Sequence, residues 1–362
     1  MDRAPKIDRL LDAMVENNAS DLHMVPGLKP KYRIHGELQD VDHEVLTTKT
    51  CNDYLLEILT KEQKAFFLQN RDMDFLYVSQ KGNRFRTNFF LQQRGLAAVF
   101  RIIPTKIASF ELLNLPSQLE RFANFHSGLV LVTGPTGAGK STTLAAIIDY
   151  INSRYRKHII TLEDPIEFVH PNKKSIIHQR EVGTHVESFN QGIIDAGRQD
   201  PDIVLVGEMR DTETIKLTCS LAETGVLTFA TLHTNNASQT LDRIIDVFPS
   251  SQQPQIRAML SQSLVAIFSQ LLLKTVDGTA RVPAYEILFS SFAVANMIRE
   301  GKVQEINSYI QRGRSQGMVS MDDSLRDLLE KGIISPEDAY MVAEDKVRFE
   351  KYLVNRDQSF IR

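Results

Sequence analysis

The sequence predicts an α/β protein. A parallel sheet covered by helices is built around a phosphate-binding loop, with a smaller α+β unit ahead of it and helices behind it. Three observations lead there. The stretch Gly134-Pro135-Thr136-Gly137-Ala138-Gly139-Lys140-Ser141-Thr142 fits the pattern GxxxxGK[ST]. Before it, Leu129 to Val132 is an apolar run suited to a buried strand; after it, Leu144 to Ile151 is apolar at helical spacing. From about Leu119 onward, short apolar runs alternate with helical patterns, as a parallel sheet with helical crossovers requires. Residues 1 to about 103 lack that alternation and read as strands with short helices among them.

A chain of 362 residues has room for two domains, each with its own core. The net charge of -3 gives no global reason to expect nucleic acid as a partner. The N-terminus has no signal-peptide succession, and no apolar run approaches membrane-spanning length, so a cytosolic protein is expected. Cys51 and Cys219 are the two cysteines; they form no CxxC pair and are read as packing residues.

In chain order, Ile7, Leu10, Leu11, Met14 and Val15 recur at helical spacing until Asn17, Asn18 and Ser20 break the pattern. The Ser20-Asp21-Leu22-His23 stretch reads as a structural turn. Tyr32 to Leu38 and Phe75 to Val78 read as strands, with Tyr54 to Leu59 and Ala65 to Leu68 helical between them. Arg84 to Phe90 and Leu96 to Ile103 then form two strands around a turn. This hairpin gathers Arg84, Arg86, Arg94 and Arg101. Their plain reading is the wet face of an edge strand. The sharper one has some of them neutralising charge on a phosphoryl group held by a neighbouring subunit. The sequence leaves both open. Pro104 to Leu115 is the expected linker.

The second unit carries the chemistry. In a loop of the Gly134 to Thr142 type, backbone N–H groups and the following helix N-terminus surround a β-phosphate. Lys140 then reaches the β- and γ-phosphates, and Ser141 ligates Mg²⁺. Further on, three apolar runs end in polar residues. His158 to Leu162 leads into Glu163-Asp164-Pro165, Ile203 to Val206 into Gly207-Glu208, and Thr228 to Leu232 into His233-Thr234. Ligands of open α/β sheets bind beyond the carboxyl ends of the strands, so these residues should converge beside the loop. Phosphoanhydride hydrolysis needs a positioned water and neutralised charge, and two carboxylates with an imidazole suit those tasks. Chemistry alone does not divide the roles between Glu163 and Glu208.

The chain resembles the type IV pilus retraction ATPases, PilT and PilU, within the larger secretion ATPase family, over nearly its whole length. The matching stretches are Gly134 to Thr143 as Walker A, Ile159 to Phe168 as the acidic box, Asp200 to Arg210 as Walker B, and Ala222 to Gly225 through Thr231 to Thr234 as the histidine box. The resemblance implies a PAS-like N-terminal domain over 1–103 and, after a linker at 104–115, a RecA-like P-loop ATPase domain over 116–362. The latter ends in a helical region from about 290. It further implies a homo-hexamer that binds ATP or ADP with Mg²⁺ between the two domains. Glu163 becomes the general base, Glu208 the Walker B acid that meets Mg²⁺ through water, and His233 the phosphate-side histidine. Arg86 and Arg101 become the arginines lent by the N-terminal domain, ahead of Arg84 and Arg94.

Four positions depart from the family pattern. Val226 stands where a first histidine is usual, which removes an imidazole from the site or its surroundings. Ile194 replaces a common arginine, and Gly197, unfavourable inside a helix by roughly 1 kcal/mol, is expected to bend that segment. Ala293-Val294-Ala295 replaces Ala-Ile-Arg. Ala138 replaces a serine but keeps its backbone amide. Beyond the core, Pro254 to Lys274 reads as one long helix, Val282 to Leu288 as a strand, and Phe292 to Glu300 as the first of the final helices. Met321, Leu325, Leu328 and Leu329 share one face of a later helix, which should pack on the core or on a neighbour.

The resemblance therefore implies a Mg²⁺-dependent hexameric motor that couples ATP hydrolysis to domain rotation and drives pilus retraction. It would sit in the cytoplasm, peripheral at the inner-membrane base of the pilus machine, against a platform protein. An accessory, PilU-like ring subunit that depends on another retraction ATPase is the alternative, motivated by Val226, Ile194 and Ala295. A pilus-extension or type II secretion ATPase is a third reading, but two isolated cysteines do not supply the zinc module such proteins often carry.

Overall fold

The computed structural model describes residues 4–34, 36–104 and 106–354. Two units make up the chain, Met1–Lys106 and Ile107–Arg362. In the first, Ile7, Leu10, Leu11 and Met14 line the buried side of helix α1 (Lys6–Glu16). Strands β1 (Asp21–Met24), β2 (Lys31–Ile34) and β3 (Glu37–Asp40) follow, then helices α2 (Thr48–Leu55) and α3 (Lys61–Asn70). Each of these helices starts in a capping box, Thr47 with Thr50 and Thr60 with Gln63, which satisfies backbone N–H groups the helix leaves free. Strands β4 (Asp72–Val78), β5 (Arg84–Gln92) and β6 (Gly95–Ile103) complete the unit.

The six strands form one antiparallel sheet in the order β3-β2-β1-β6-β5-β4. Alternation sends Leu22, Phe85, Phe89 and Phe100 into the core and Asp21, Arg86 and Arg101 to the opposite face. Three expectations change here. The strand over Tyr32 to Leu38 is two strands, β2 and β3, turned through Gly36 at φ +88°. Ser20 to His23 is not a turn: from Asp21 it is β1, near the middle of the sheet, whose four residues are too few to display their alternation. The arginine hairpin is not an edge, because β5 and β6 are interior and β3 and β4 are the edges.

The second unit opens with a 3₁₀ segment, Ser117–Asn124. Then come β7 (Gly128–Thr133), α4 (Lys140–Arg154), β8 (His158–Glu163), β9 (Ile176–Glu181), α5 (Phe189–Ala196), β10 (Ile203–Val206) and α6 (Thr212–Glu223). Next are β11 (Leu227–Leu232), α7 (Ala237–Asp246), α8 (Gln253–Ser263), β12 (Leu264–Lys274) and β13 (Arg281–Phe289). The sheet order is β13-β12-β7-β11-β10-β8-β9, parallel except for the β12/β13 hairpin. Every residue of β7, β10 and β11 is buried, which is why these strands read as unbroken apolar runs. Right-handed crossovers place α4 on one face and α5, α6 and α8 on the other, where α6 packs on both α5 and α8.

The single helix expected over Pro254 to Lys274 is overturned. The chain leaves α8 at Ser263 and enters β12, because a continuous apolar run such as Leu264 to Phe268 suits a buried strand as well as a buried helix. Nor does Gly197 bend a helix: α5 ends at Ala196 and Gly197 caps it. The chain closes with α9 (Phe292–Glu300), α10 (Glu305–Arg312), α11 (Met321–Glu330), α12 (Pro336–Val342) and α13 (Val347–Val354). Met321, Leu325 and Leu329 pack with Leu273, Val282 and Ala284 of the β12/β13 hairpin, so α11 covers its own chain. A polar tie runs beside that apolar one. Buried Glu286 of β13 accepts the Ala237 N–H at the start of α7 (2.7 Å), and Asn236 donates to Glu344 in the C-terminal region.

Candidate active site

β7 ends at Thr133, and the loop that follows turns into α4 through three glycines at positive φ: Gly134 (+150°), Gly137 (+80°) and Gly139 (+86°). At Gly134 the need is steric as well as conformational. A Cβ there would run into the Gln270 carbonyl oxygen of β12 and come within 2.9 Å of the Ala138 Cβ. Gln270 is the residue that the sequence reading missed. Buried on β12, it donates from Nε2 to the Ala138 carbonyl and accepts from Thr143 Oγ1 at 2.7 Å, pinning the middle of the loop and the first turn of α4. Its signal was the polar pair Ser269-Gln270 inside an apolar run, visible only once that run is read as a strand.

The strands that neighbour β7 bring the other predicted residues to the same end of the sheet. Lys140 Nζ donates to the carbonyls of Gly134 (2.8 Å) and Pro135 (3.2 Å) and lies 3.4 Å from His233 Nδ1, just past β11. Thr136 Oγ1 faces the same nitrogen at 3.4 Å. His233 Nε2 is 3.2 Å from Glu208 Oε1, beyond β10, and Glu208 Oε2 is 2.8 Å from Arg210 Nη2. With donors facing Nδ1 and a carboxylate facing Nε2, the neutral tautomer protonated on Nε2 satisfies both ends of the ring. Burial depresses the Lys140 ammonium, while Glu208 and Glu167 pull it back up. An ammonium in that state gains from nearby phosphate charge.

Glu163 ends β8, one strand beyond β10. Gly207 allows the close approach between these strands: its N–H donates to the Leu162 carbonyl at 2.7 Å, and a Cβ on it would lie 3.3 Å from the Glu163 Cα. Glu163 Oε1 accepts from Thr161 Oγ1 (2.6 Å) and from Gln179 Nε2 (3.2 Å). Burial pushes its carboxyl up, against these two hydrogen bonds and a third from the Glu167 backbone. A carboxylate in that state is a stronger base than one in water. Ser141 lies in the first turn of α4. Its hydroxyl and the Glu208 carboxylate suit Mg²⁺, which is commonly held by one or two protein oxygens, waters and substrate phosphates.

Arg86 and Arg101 lie directly opposite one another on β5 and β6, and Arg101 in turn faces Asp21 on β1, which faces Arg33 on β2. One carboxylate thus stands in a row with three guanidinium groups across the sheet. Asp21 is 3% exposed and accepts from Arg101 Nε at 2.7 Å, with Arg33 at 3.9 Å. The Arg86 side chain is exposed and makes no hydrogen bond or ion pair among the described residues. Like charges directly opposite on a sheet repel, so this row favours an added anion. Arg84 follows on the same face, while Arg94 lies in the β5/β6 turn, where its carbonyl accepts from Thr48.

The departures from the family pattern lie away from the cradle, apart from Ala138 within it. Val226 precedes β11 and His233 follows it, so the length of that six-residue strand, roughly 20 Å, separates them. Ile194 is on α5, and Ala293 to Ala295 are on α9.

Residues 3–355 match the family described as Type II/IV secretion system protein. A twitching motility protein of Neisseria gonorrhoeae is 48% identical over 316 residues, which are 87% of this chain and 84% of that protein. The type IV pilus retraction ATPase PilT of Pseudomonas aeruginosa is 45% identical over 333 residues, 92% of this chain and 96% of its own. A crystal structure of the pilus retraction motor PilT with bound ADP matches with a TM-score of 0.89 at 41% identity, covering 96% of this chain and 99% of that one. Likeness of this extent spans both units and the whole strand-end arrangement: the chain belongs to the type II/IV secretion system protein family, among its type IV pilus retraction ATPases.

Proposed function

We propose that the loop at Gly134 to Thr142 holds the phosphates of ATP and releases ADP, and that the strand ends beside it carry out hydrolysis. The observation that carries this reading is the continuous chain Lys140, His233, Glu208, Arg210, which links three strand ends within hydrogen-bond or ion-pair distance. Lys140 exchanges its loop carbonyls for the β- and γ-phosphates, while backbone N–H groups at the α4 N-terminus face them. His233 contacts the γ-phosphate side and relays its charge state to Glu208. Glu163 takes a proton from the attacking water. Ser141 and, through water, Glu208 would hold Mg²⁺, which would supply positive charge to the transferred phosphoryl group. Arg86 and Arg101 supply more of it when the first unit meets a bound nucleotide.

In this reading six copies form a ring, and the angle between the two units changes as nucleotide is bound, cleaved and released. The resemblance supports a site of action in the cytoplasm at the inner-membrane base of the pilus machine, with its platform protein as partner. Among the described residues no helix is long and apolar enough to cross a membrane. An accessory ring that works only with another retraction ATPase is the second reading. The separation of Val226 from His233 counts against it, since that substitution leaves the hydrolytic residues in place.

Steady-state phosphate release by the purified full chain tests both, with Glu163→Gln and Lys140→Ala as controls. Release well above the controls supports the autonomous ATPase; release no higher than theirs overturns it in favour of the accessory ring.

A further inference from the structure

Gln179 lies on β9, the outermost strand of the ATPase sheet, directly opposite Thr161 in the β8/β9 register, as Glu181 lies opposite Glu163. Its carboxamide is used on both sides. Oε1 accepts the His170 N–H at 2.8 Å, and Nε2 donates to the Phe168 carbonyl at 2.8 Å and to Glu163 Oε1 at 3.2 Å. The backbone donor and acceptor settle which end of the amide is which, so the side turned to Glu163 is N–H₂. Two residues along, on the same face, Glu181 Oε2 accepts the Ile166 N–H at 3.0 Å. An edge strand thereby laces the loop from Asp164 to His170 to the end of β8. Gln179 is half-buried, on the face of β9 that also carries buried Ile177, and its carboxamide is committed on three sides.

We propose that Gln179 is the positioning residue of Glu163: together with Thr161 it engages Oε1 and so fixes the plane in which the carboxylate meets the water whose proton Oε2 takes. This rests on the reading of Glu163 as the base. In that step the water oxygen bonds the γ-phosphorus, its proton passes to Oε2, and the bond from γ-phosphorus to the bridging oxygen breaks as ADP leaves. Because both side-chain donors stabilise the carboxylate form, they also limit how far burial raises the proton affinity of Glu163. Glu167, on the same loop, is the charged neighbour that acts in the opposite sense. Gln179 thus favours the carboxylate, the form usable as a base, over the protonated carboxyl.

The test is phosphate release by the full chain from pH 5 to 9, comparing wild type, Gln179→Met, Gln179→Glu and Glu163→Gln, with melting temperature measured for each. Methionine keeps the shape and removes the donor. For Gln179→Met we expect kcat to fall about tenfold with KM for ATP changed less than about twofold. Its acid limb should move to higher pH by about half a unit or more, because the lost donor favoured the charged form. Gln179→Glu should move the limb further in the same direction, since it adds a second negative charge. A fall in kcat with the acid limb unmoved, or no change in either, overturns the positioning role. Retention of wild-type turnover by Glu163→Gln overturns the base assignment itself, whatever the Gln179 variants do. If Gln179→Met does not fold, Gln179→Glu and Gln179→Ala are judged by the same limb.

Discussion

Glu286→Gln is expected to stabilise the ATPase unit at neutral pH, by an amount that depends on pH in a defined direction. Glu286 is 2% exposed. Burial pushes its carboxyl up to about 8 from an ordinary 4.5, the Ala237 N–H opposes this, and the Glu344 and Asp322 carboxylates add to it. A carboxyl raised in the folded state contributes stability that is complete below its unfolded value and is lost as pH rises toward its folded one. At pH 7 the folded chain must hold a proton that the unfolded chain has released, a cost of about 3 kcal/mol. Glutamine still accepts from Ala237, places N–H₂ where the carboxylic O–H was, and carries no such cost. The melting temperature should therefore rise by roughly 6–12 °C at pH 7. At pH 5.5 the gain shrinks to about 1 kcal/mol, or roughly 2–4 °C. Scanning calorimetry of both proteins at the two pH values, without nucleotide, reads this directly. Equal shifts at the two pH values, or none at pH 7, would refute the reasoning that a buried proton is involved.

Four other substitutions probe the proposed site. Lys140→Ala should weaken ATP binding by at least about a hundredfold, because phosphate loses its one point-charge partner in the loop, and calorimetric titration with ATP checks it. Gly134→Ala should abolish binding as well, by displacing the loop from Gln270; wild-type affinity in that variant would mean the loop holds no phosphate in this form. Arg86→Ala should lower turnover while leaving the melting temperature within about 1 °C, since Arg86 is exposed. Arg101→Ala should lower turnover and also cost about 1–3 kcal/mol of stability, because it leaves buried Asp21 with the Ser20 hydroxyl and, at 3.9 Å, Arg33.

Much of the candidate site was legible because its parts are local. The loop from Gly134 to Thr142 announces itself by composition, and Glu163, Glu208 and His233 each follow a short apolar run that reads as a strand. What escaped notice was held by partners distant in sequence. Gln270 is 132 residues from the carbonyl it binds, and Arg101 is 80 residues from Asp21. The pair Ser269-Gln270 marks Gln270 only once its run is read as a strand, and nothing beside Asp21 points to arginines on other strands. The segment from Pro254 to Lys274 failed for a different reason, since full burial removes the polar alternation by which a strand is told from a helix.

The amino-acid sequence by itself determined the family, the phosphate-binding loop and the residues that end the strands, since each depends on residue types at fixed short spacings. Only the tertiary structure decided that the arginines sit on interior strands around one buried aspartate, and that Val226 lies a strand's length from His233. It alone brought Gln179 against Glu163, the proposed base, and Glu286 beneath α7. Those relations depend on strand order and register, which arise from hydrogen bonding between segments far apart in the chain and leave no pattern within any one of them.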